Sequence, residues 1–119
     1  MRILLGEDDE GLRKSVDLLL RRRSHKVDSV ENGIDLMLML EADPNYDVVI
    51  TDHDMPLMTG LEVLRSIKSN PRLSSLPVIL YTGNDLIKVE VLKLGGIYTE
   101  KGGIEVLYHA LEQLHARAA

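Results

Sequence analysis

Short unbroken apolar runs alternate along the chain with longer stretches whose apolar residues recur at helical spacing. Arg2-Ile3-Leu4-Leu5-Gly6 predicts a first buried strand. Leu12, Val16, Leu19 and Leu20 follow at i, i+4, i+7 and i+8, the spacing of one helical face. Arg21-Arg22-Arg23 falls in the last turn, where cations complement the helix dipole and a solvated end is expected. Lys26-Val27-Asp28-Ser29-Val30 is a weaker strand, and Asn32-Gly33 a turn signal. Ile34 to Leu40 is dense in Leu and Met, with Leu36, Met37 and Leu40 on one face, until Pro44-Asn45 breaks the pattern. Asp47-Val48-Val49-Ile50-Thr51 is the clearest strand, a β-branched run without alternation, as suits a strand covered on both faces. A loop with Pro56 and Gly60 leads to a helix carrying Leu61, Leu64 and Ile67, ended by Asn70-Pro71. Pro77-Val78-Ile79-Leu80-Tyr81 predicts a fourth strand, followed by Thr82-Gly83-Asn84. Leu86 to Leu94 reads as a helix apolar on more than one side, and Gly95-Gly96 ends it. Ile97-Tyr98-Thr99 is a short fifth strand, and Leu107, Ala110, Leu111 and Leu114 mark a last helix.

Strands alternating with helices predict an α/β fold, a parallel sheet with helices on both faces and right-handed crossovers. No repeat, linker or low-complexity segment interrupts residues 1–119, so one domain is expected. Composition narrows the function. A 45% hydrophobic and 28% charged chain can build one core and is not disordered in character. The net charge of −5 disfavours general nucleic-acid and polybasic membrane binding. The absence of cysteine excludes disulfides and thiolate metal sites. No apolar run reaches the roughly 18 residues of a membrane span, and the chain turns acidic at Glu7 before a signal-peptide core forms. A cytoplasmic protein with no direct nucleic-acid or membrane contact is expected.

In open α/β sheets, function collects outside the carboxyl ends of the strands. Strand 1 ends in Glu7-Asp8-Asp9-Glu10, strand 3 in Asp52 with Asp54 close behind, strand 4 in Thr82, and strand 5 is followed by Lys101. Singly, each has a plain reading: acids at a helix N-terminus, a turn aspartate, a strand-end threonine, a surface lysine. Together, adjacent carboxylates repel and need a proton or a cation between them, and a hard oxygen-ligand ion such as Mg²⁺ suits the set. A metal, a hydroxyl and an ammonium can jointly hold a phosphoryl group, and an aspartate can be the nucleophile that accepts it.

At this point the chain resembles a response-regulator receiver domain, the phosphoacceptor module of two-component signalling. The likeness runs from Ile3-Leu4-Leu5-Gly6-Glu7-Asp8-Asp9 through Glu31-Asn32-Gly33 to Thr82 and Lys101. Its most specific piece is Thr51-Asp52-His53-Asp54-Met55-Pro56-Leu57-Met58-Thr59-Gly60. The resemblance implies a flavodoxin-like (βα)5 three-layer sandwich with parallel strand order 2-1-3-4-5. It implies Asp52 as the phosphorylated residue. Arg13 matches the family's helix 1 basic residue, which makes Glu7 and Asp8 the acidic pair and leaves Asp9 to cap helix 1. Mg²⁺, with Mn²⁺ as an alternative, would be held by Glu7, Asp8, Asp52 and Asp54, the last through its backbone carbonyl or side chain. Thr82 matches the switch hydroxyl, Lys101 the lysine that pairs with the phosphoryl group, and Tyr98 the aromatic switch position. Asp54 and Asn84 occupy the positions that tune hydrolysis. The implied partners are a sensor histidine kinase or histidine phosphotransfer protein, and a downstream protein or second copy at helix 4, strand 5 and helix 5. On this reading the chain is no enzyme beyond Mg-dependent self-phosphorylation and self-dephosphorylation, and most of the −5 net charge sits at one pocket.

Two departures fall near the output region. Gly102-Gly103 follows Lys101 where the family usually has proline, often cis, and a non-proline cis bond costs about 2.5–4 kcal/mol, so a trans or more mobile loop is expected. The stretch from Thr82 to Lys101 is also short for the family, so helix 4 or its flanking loops should be trimmed. Apolar Leu86, Ile87, Val89, Val91, Leu92 and Leu94 exceed one core stripe, which points to a contact surface involving Val89 and Val91. His53 reads as a bystander beside the acceptor, and His25, His109 and His115 as surface residues. Two rival readings remain: a pseudo-receiver that only docks partners, and an Mg-dependent aspartate-nucleophile phosphatase built on Asp52-His53-Asp54.

Overall fold

Val48, Val49, Ile50 and Thr51 lack polar alternation because their strand lies mid-sheet with helices over both faces, and all four are fully buried. The structure, a computed structural model, describes residues 1–118. Its elements are β1 (Arg2–Gly6), α1 (Glu10–Arg22), β2 (Lys26–Val30), α2 (Gly33–Ala42), β3 (Val48–Thr51), α3 (Gly60–Ser69), β4 (Val78–Thr82), α4 (Lys88–Lys93), β5 (Ile97–Glu100) and α5 (Glu105–Ala118). The sheet order is β2-β1-β3-β4-β5, every pair parallel. This is the flavodoxin-like order that the resemblance implies.

Two cores lie on opposite faces of the sheet. Leu36 and Leu40 of α2, Val63, Leu64 and Ile67 of α3, and Val91 of α4 pack against Leu4, Val49, Val78 and Leu80. Val16 and Leu20 of α1, with Leu107, Ala110 and Leu111 of α5, pack against Ile3, Leu5, Val48, Ile50 and Ile79. Alternate strand residues thus feed alternate cores. Met37 and Met39 pack at the margin of the first core.

Three expectations are corrected. The stretch Leu86–Leu94 is not one helix: a 3-10 turn spans Asp85–Ile87 and α4 begins at Lys88. The Asn84 side chain accepts the Leu86 N–H at 3.2 Å, which closes a tight turn that competes with an α-helical start. Val91 is no surface residue: it is fully buried, because α4 turns it towards Leu64 and β5. The Arg21–Arg23 helix end is exposed, as expected, with two of its side chains anchored. Arg21 bonds Asp17 and the Val27 carbonyl, and Arg23 lies 3.7 Å over the Tyr108 ring. His25 is half-buried, its Nδ1 3.2 Å from the Met1 amino group.

Candidate functional site

Register places the site. β1 and β3 run in step to their ends, Gly6 opposite Thr51, so Glu7 and Asp52 leave the sheet side by side. Backbone bonds hold both: Glu7 N donates to Val30 O and Asp52 N to Gly6 O, each at 3.0 Å. β4 and β5 likewise pair Thr82 with Glu100, and Lys101 N donates to Thr82 O at 3.0 Å. Asp9 caps α1, its Oδ1 accepting from Leu12 N at 2.8 Å. Arg13 Nη1 donates to Glu7 O at 3.0 Å, tying α1 to the end of β1.

The Lys101 ammonium bridges two buried acids, 2.7 Å from Glu7 Oε1 and 2.9 Å from Asp52 Oδ2. Glu7 is 3% exposed and Asp52 7%. The other Asp52 oxygen, Oδ1, accepts the His53 N–H at 2.7 Å, and Glu7 Oε2 accepts the Asp9 N–H at 3.2 Å. Burial pushes the Glu7 carboxyl above the ordinary range, and the Lys101 hydrogen bond does not cancel it. Burial pulls Lys101 down, but its bonds to Glu7 and Asp52 outweigh this and raise it overall.

Asp8 stands at the solvent side. One carboxylate oxygen each from Glu7, Asp8 and Asp52 lies within 4.8 Å of the others. An all-oxygen donor set, two members buried and one open to water, fits a hard divalent cation that keeps part of its water shell. The Asp54 carboxylate is exposed and stands outside that grouping.

Thr82 is fully buried and its Oγ1 accepts from Asn84 N at 3.1 Å. Tyr98 is half-buried against the α4 side of the sheet, its ring 5.6 Å from Lys88 Nζ. Its hydroxyl is buried without a hydrogen-bond partner among the described residues, and burial raises the phenol pKa. The Lys101–Gly102 peptide is trans. A Cβ at Gly102 meets nothing within 4 Å.

Sequence reasoning missed several contributors. Thr51 donates to Asp52 O at 2.9 Å, and Met55 is buried with its sulfur 3.5 Å from the same hydroxyl. Gly60 lets α3 approach the end of β3, since a Cβ there sits 2.3 Å from Asp52 O. Thr59 and Glu62 form a capping box, a signal legible in Thr59-Gly60-Leu61-Glu62. The His53 ring accepts the Leu61 N–H at 3.3 Å, which no local pattern announces.

A family model described as the response regulator receiver domain matches residues 3–99. The cell cycle response regulator CtrA of Brucella ovis is 37% identical over 100 residues, 80% of this chain and 40% of that protein. The two-component response regulator ORR5 of Oryza sativa subsp. japonica is 32% identical over 84 residues, 70% of this chain and 63% of that protein. The chain therefore spans about half the length of these curated relatives. A response regulator receiver domain from Clostridium thermocellum superposes with a TM-score of 0.89 at 25% identity, covering 98% of this chain and 95% of that one. The response regulator TrrA of Thermotoga maritima, in complex with Mg²⁺ and BeF, gives 0.83 at 27% identity over 95% of this chain and 97% of that one.

Proposed function

The chain belongs to the response regulator receiver domain family, and on that premise we propose that it accepts a phosphoryl group on Asp52 from a phosphohistidine donor. The observation that carries this is the Lys101 ammonium held between Glu7 and Asp52 at the strand ends, with Asp8 beside them. Residues 1–119 act as one receiver domain.

A lone pair of the Asp52 carboxylate attacks phosphorus in line, the donor's P–N bond breaks, and its electron pair stays on the imidazole nitrogen. The product is an acyl phosphate. The His53 N–H on Oδ1 and the ammonium on Oδ2 orient the carboxylate beforehand. Lys101 then passes its charge from Asp52 to the phosphoryl oxygens, and the Thr82 hydroxyl turns from Asn84 N towards them. Glu7, Asp8, Asp52 and Asp54 would hold Mg²⁺ or Mn²⁺, which supplies charge neutralisation at the transferring group. TrrA, obtained with Mg²⁺ and BeF, supports that chemistry by likeness. Inward movement of Thr82 opens space for Tyr98 and biases a two-state equilibrium at α4, β5 and α5.

Leu86, Val89 and Leu92, at 90%, 64% and 55% exposure, offer that face to a downstream protein or a second copy. The upstream partner is a sensor histidine kinase or phosphotransfer protein. The described residues contain no helix long and apolar enough to cross a membrane, and we place the chain in the cytoplasm. Turnover is confined to self-phosphorylation and self-dephosphorylation.

The test is incubation with Mg²⁺ and acetyl phosphate, followed by intact mass. A labile gain of one phosphoryl group, absent in Asp52→Asn, is expected. Folded, Mg²⁺-binding protein without an adduct points to a docking pseudo-receiver, and multiple turnover of phosphomonoesters to a phosphatase.

A further inference from the structure

The N-terminus of α3 exposes four N–H groups that no helical turn can satisfy. All four find partners. Thr59 N donates to Glu62 Oε1 at 3.1 Å and Glu62 N to Thr59 Oγ1 at 3.3 Å, the capping box of the helix itself. The remaining two go to one residue outside the helix. Gly60 N donates to the His53 carbonyl at 3.0 Å, and Leu61 N to His53 Nδ1 at 3.3 Å. Because Nδ1 accepts, the neutral ring carries its proton on Nε2.

His53 also holds the acceptor, since its own N–H donates to Asp52 Oδ1 at 2.7 Å. Its carbonyl takes a second bond, from Met55 N at 2.9 Å. One residue therefore ties the end of β3, the acceptor carboxylate and the first turn of α3 into a closed loop. Asp54 lies inside that loop. Any side chain at Gly60 would force the loop open, with a Cβ 2.3 Å from Asp52 O and 2.8 Å from His53 Cα. The ring bond is the one part of this closure that depends on the identity of residue 53.

We propose that His53 is a positioning residue for phosphoryl acceptance: its ring caps α3 and thereby fixes the loop that presents the Asp54 carbonyl and the Asp52 carboxylate to Mg²⁺. The inference rests on the receiver reading above and concerns how that site is held. Without the acceptor, Leu61 N–H loses its partner and the loop loosens on its α3 side. The Mg²⁺ site then spends less time assembled, so its affinity falls by about threefold to tenfold, the range one net hydrogen bond contributes.

Two variants separate the acceptor from the ring. His53→Phe keeps a ring of similar size and removes the acceptor. His53→Asn discards the ring and keeps an oxygen near the Nδ1 position. Nitrogen NMR of the unmutated protein, above the ordinary imidazole range, should show the Nε2–H tautomer and slow exchange at the Leu61 amide. Titration with Mg²⁺ alone should weaken in His53→Phe and recover most of its affinity in His53→Asn, with the rate of acetyl phosphate labelling following. An Nδ1–H tautomer in the unmutated protein overturns the inference without any variant. So does a Phe variant that binds Mg²⁺ as tightly as the parent, or an Asn variant no better than Phe. An unmutated protein that binds Mg²⁺ but never gains a phosphoryl group sinks the receiver reading instead, and the tautomer and Mg²⁺ results still decide the role of His53.

Discussion

The N-termini of α3 and α4 are built in opposite ways. At α3 every free N–H has a partner, and glycine brings the helix into contact with the Asp52 backbone. α4 is six residues long, has no side-chain cap on its first turn, and follows a 3-10 turn. It leaves Val89 and Leu92 in water and shares its border with a tyrosine hydroxyl that has no partner among the described residues. The proposed chemistry is held by the over-determined end, while the face proposed to report it rests on Ile87, Val91, partly buried Leu94 and the Arg65–Glu90 ion pair at 3.1 Å. Regions that change conformation come from the low-stability part of a fold. The contrast locates where a charge added at Asp52 can move the molecule cheaply.

The largest effects break the contrast within α4 itself. Val91→Asp buries a charge in the first core and should cost about 3 kcal/mol or more, whereas exposed Val89→Asp should stay within about 0.5 kcal/mol in urea unfolding. Equal costs would mean that α4 does not pack as described. Next come two glycines. Gly60→Ala meets Asp52 O at 2.3 Å and should destabilise by about 2–4 kcal/mol. Gly102→Ala enters open space and should stabilise by about 0.4–1 kcal/mol through the unfolded chain. Thermal midpoints of the pair should move in opposite directions.

A smaller effect belongs to Tyr98. Removing its unpaired hydroxyl in Tyr98→Phe should stabilise the unphosphorylated protein by about 1 kcal/mol, and a loss of stability would show that the hydroxyl has a partner. The least effect is a slope with pH. The folded Glu7 carboxyl is raised, so its contribution is complete below the unfolded glutamate pKa and is lost as pH rises through the folded value. Lys101 is raised too, but its contribution fades only as pH climbs past the ordinary lysine pKa of about 10.4. Without metal, the urea midpoint of the unmutated protein should therefore fall relative to that of Glu7→Gln from about pH 4.3 upward, and Mg²⁺ at neutral pH should offset that relative decline.

Much of this was legible in the residues. The β-branched run before Asp52 announced a strand covered on both faces, and the acids and lysine at strand ends followed from the alternation of strands and helices. The strand order came through resemblance, and the pairing geometry agrees with it. What stayed hidden depends on distance in the fold. Val91 and Val89 look alike in a short apolar helix, and only the close packing of α4 on Leu64 and β5 sends one inward. Nothing adjacent to His53 indicates that its ring reaches eight residues along the chain to Leu61. Glu7 and Asp8 are neighbours in sequence, yet one is sealed under Lys101 and the other faces water.

The central claim is that the phosphoryl group goes to one carboxylate. Borohydride reduces an acyl phosphate to the alcohol, so reduction after acetyl phosphate and Mg²⁺ treatment, read by peptide sequencing in the mass spectrometer, identifies the acceptor. Homoserine at position 52 alone is the expected result. Reduction at Asp8 or Asp54 with Asp52 intact, or no reduced residue in protein that binds Mg²⁺, contradicts the account.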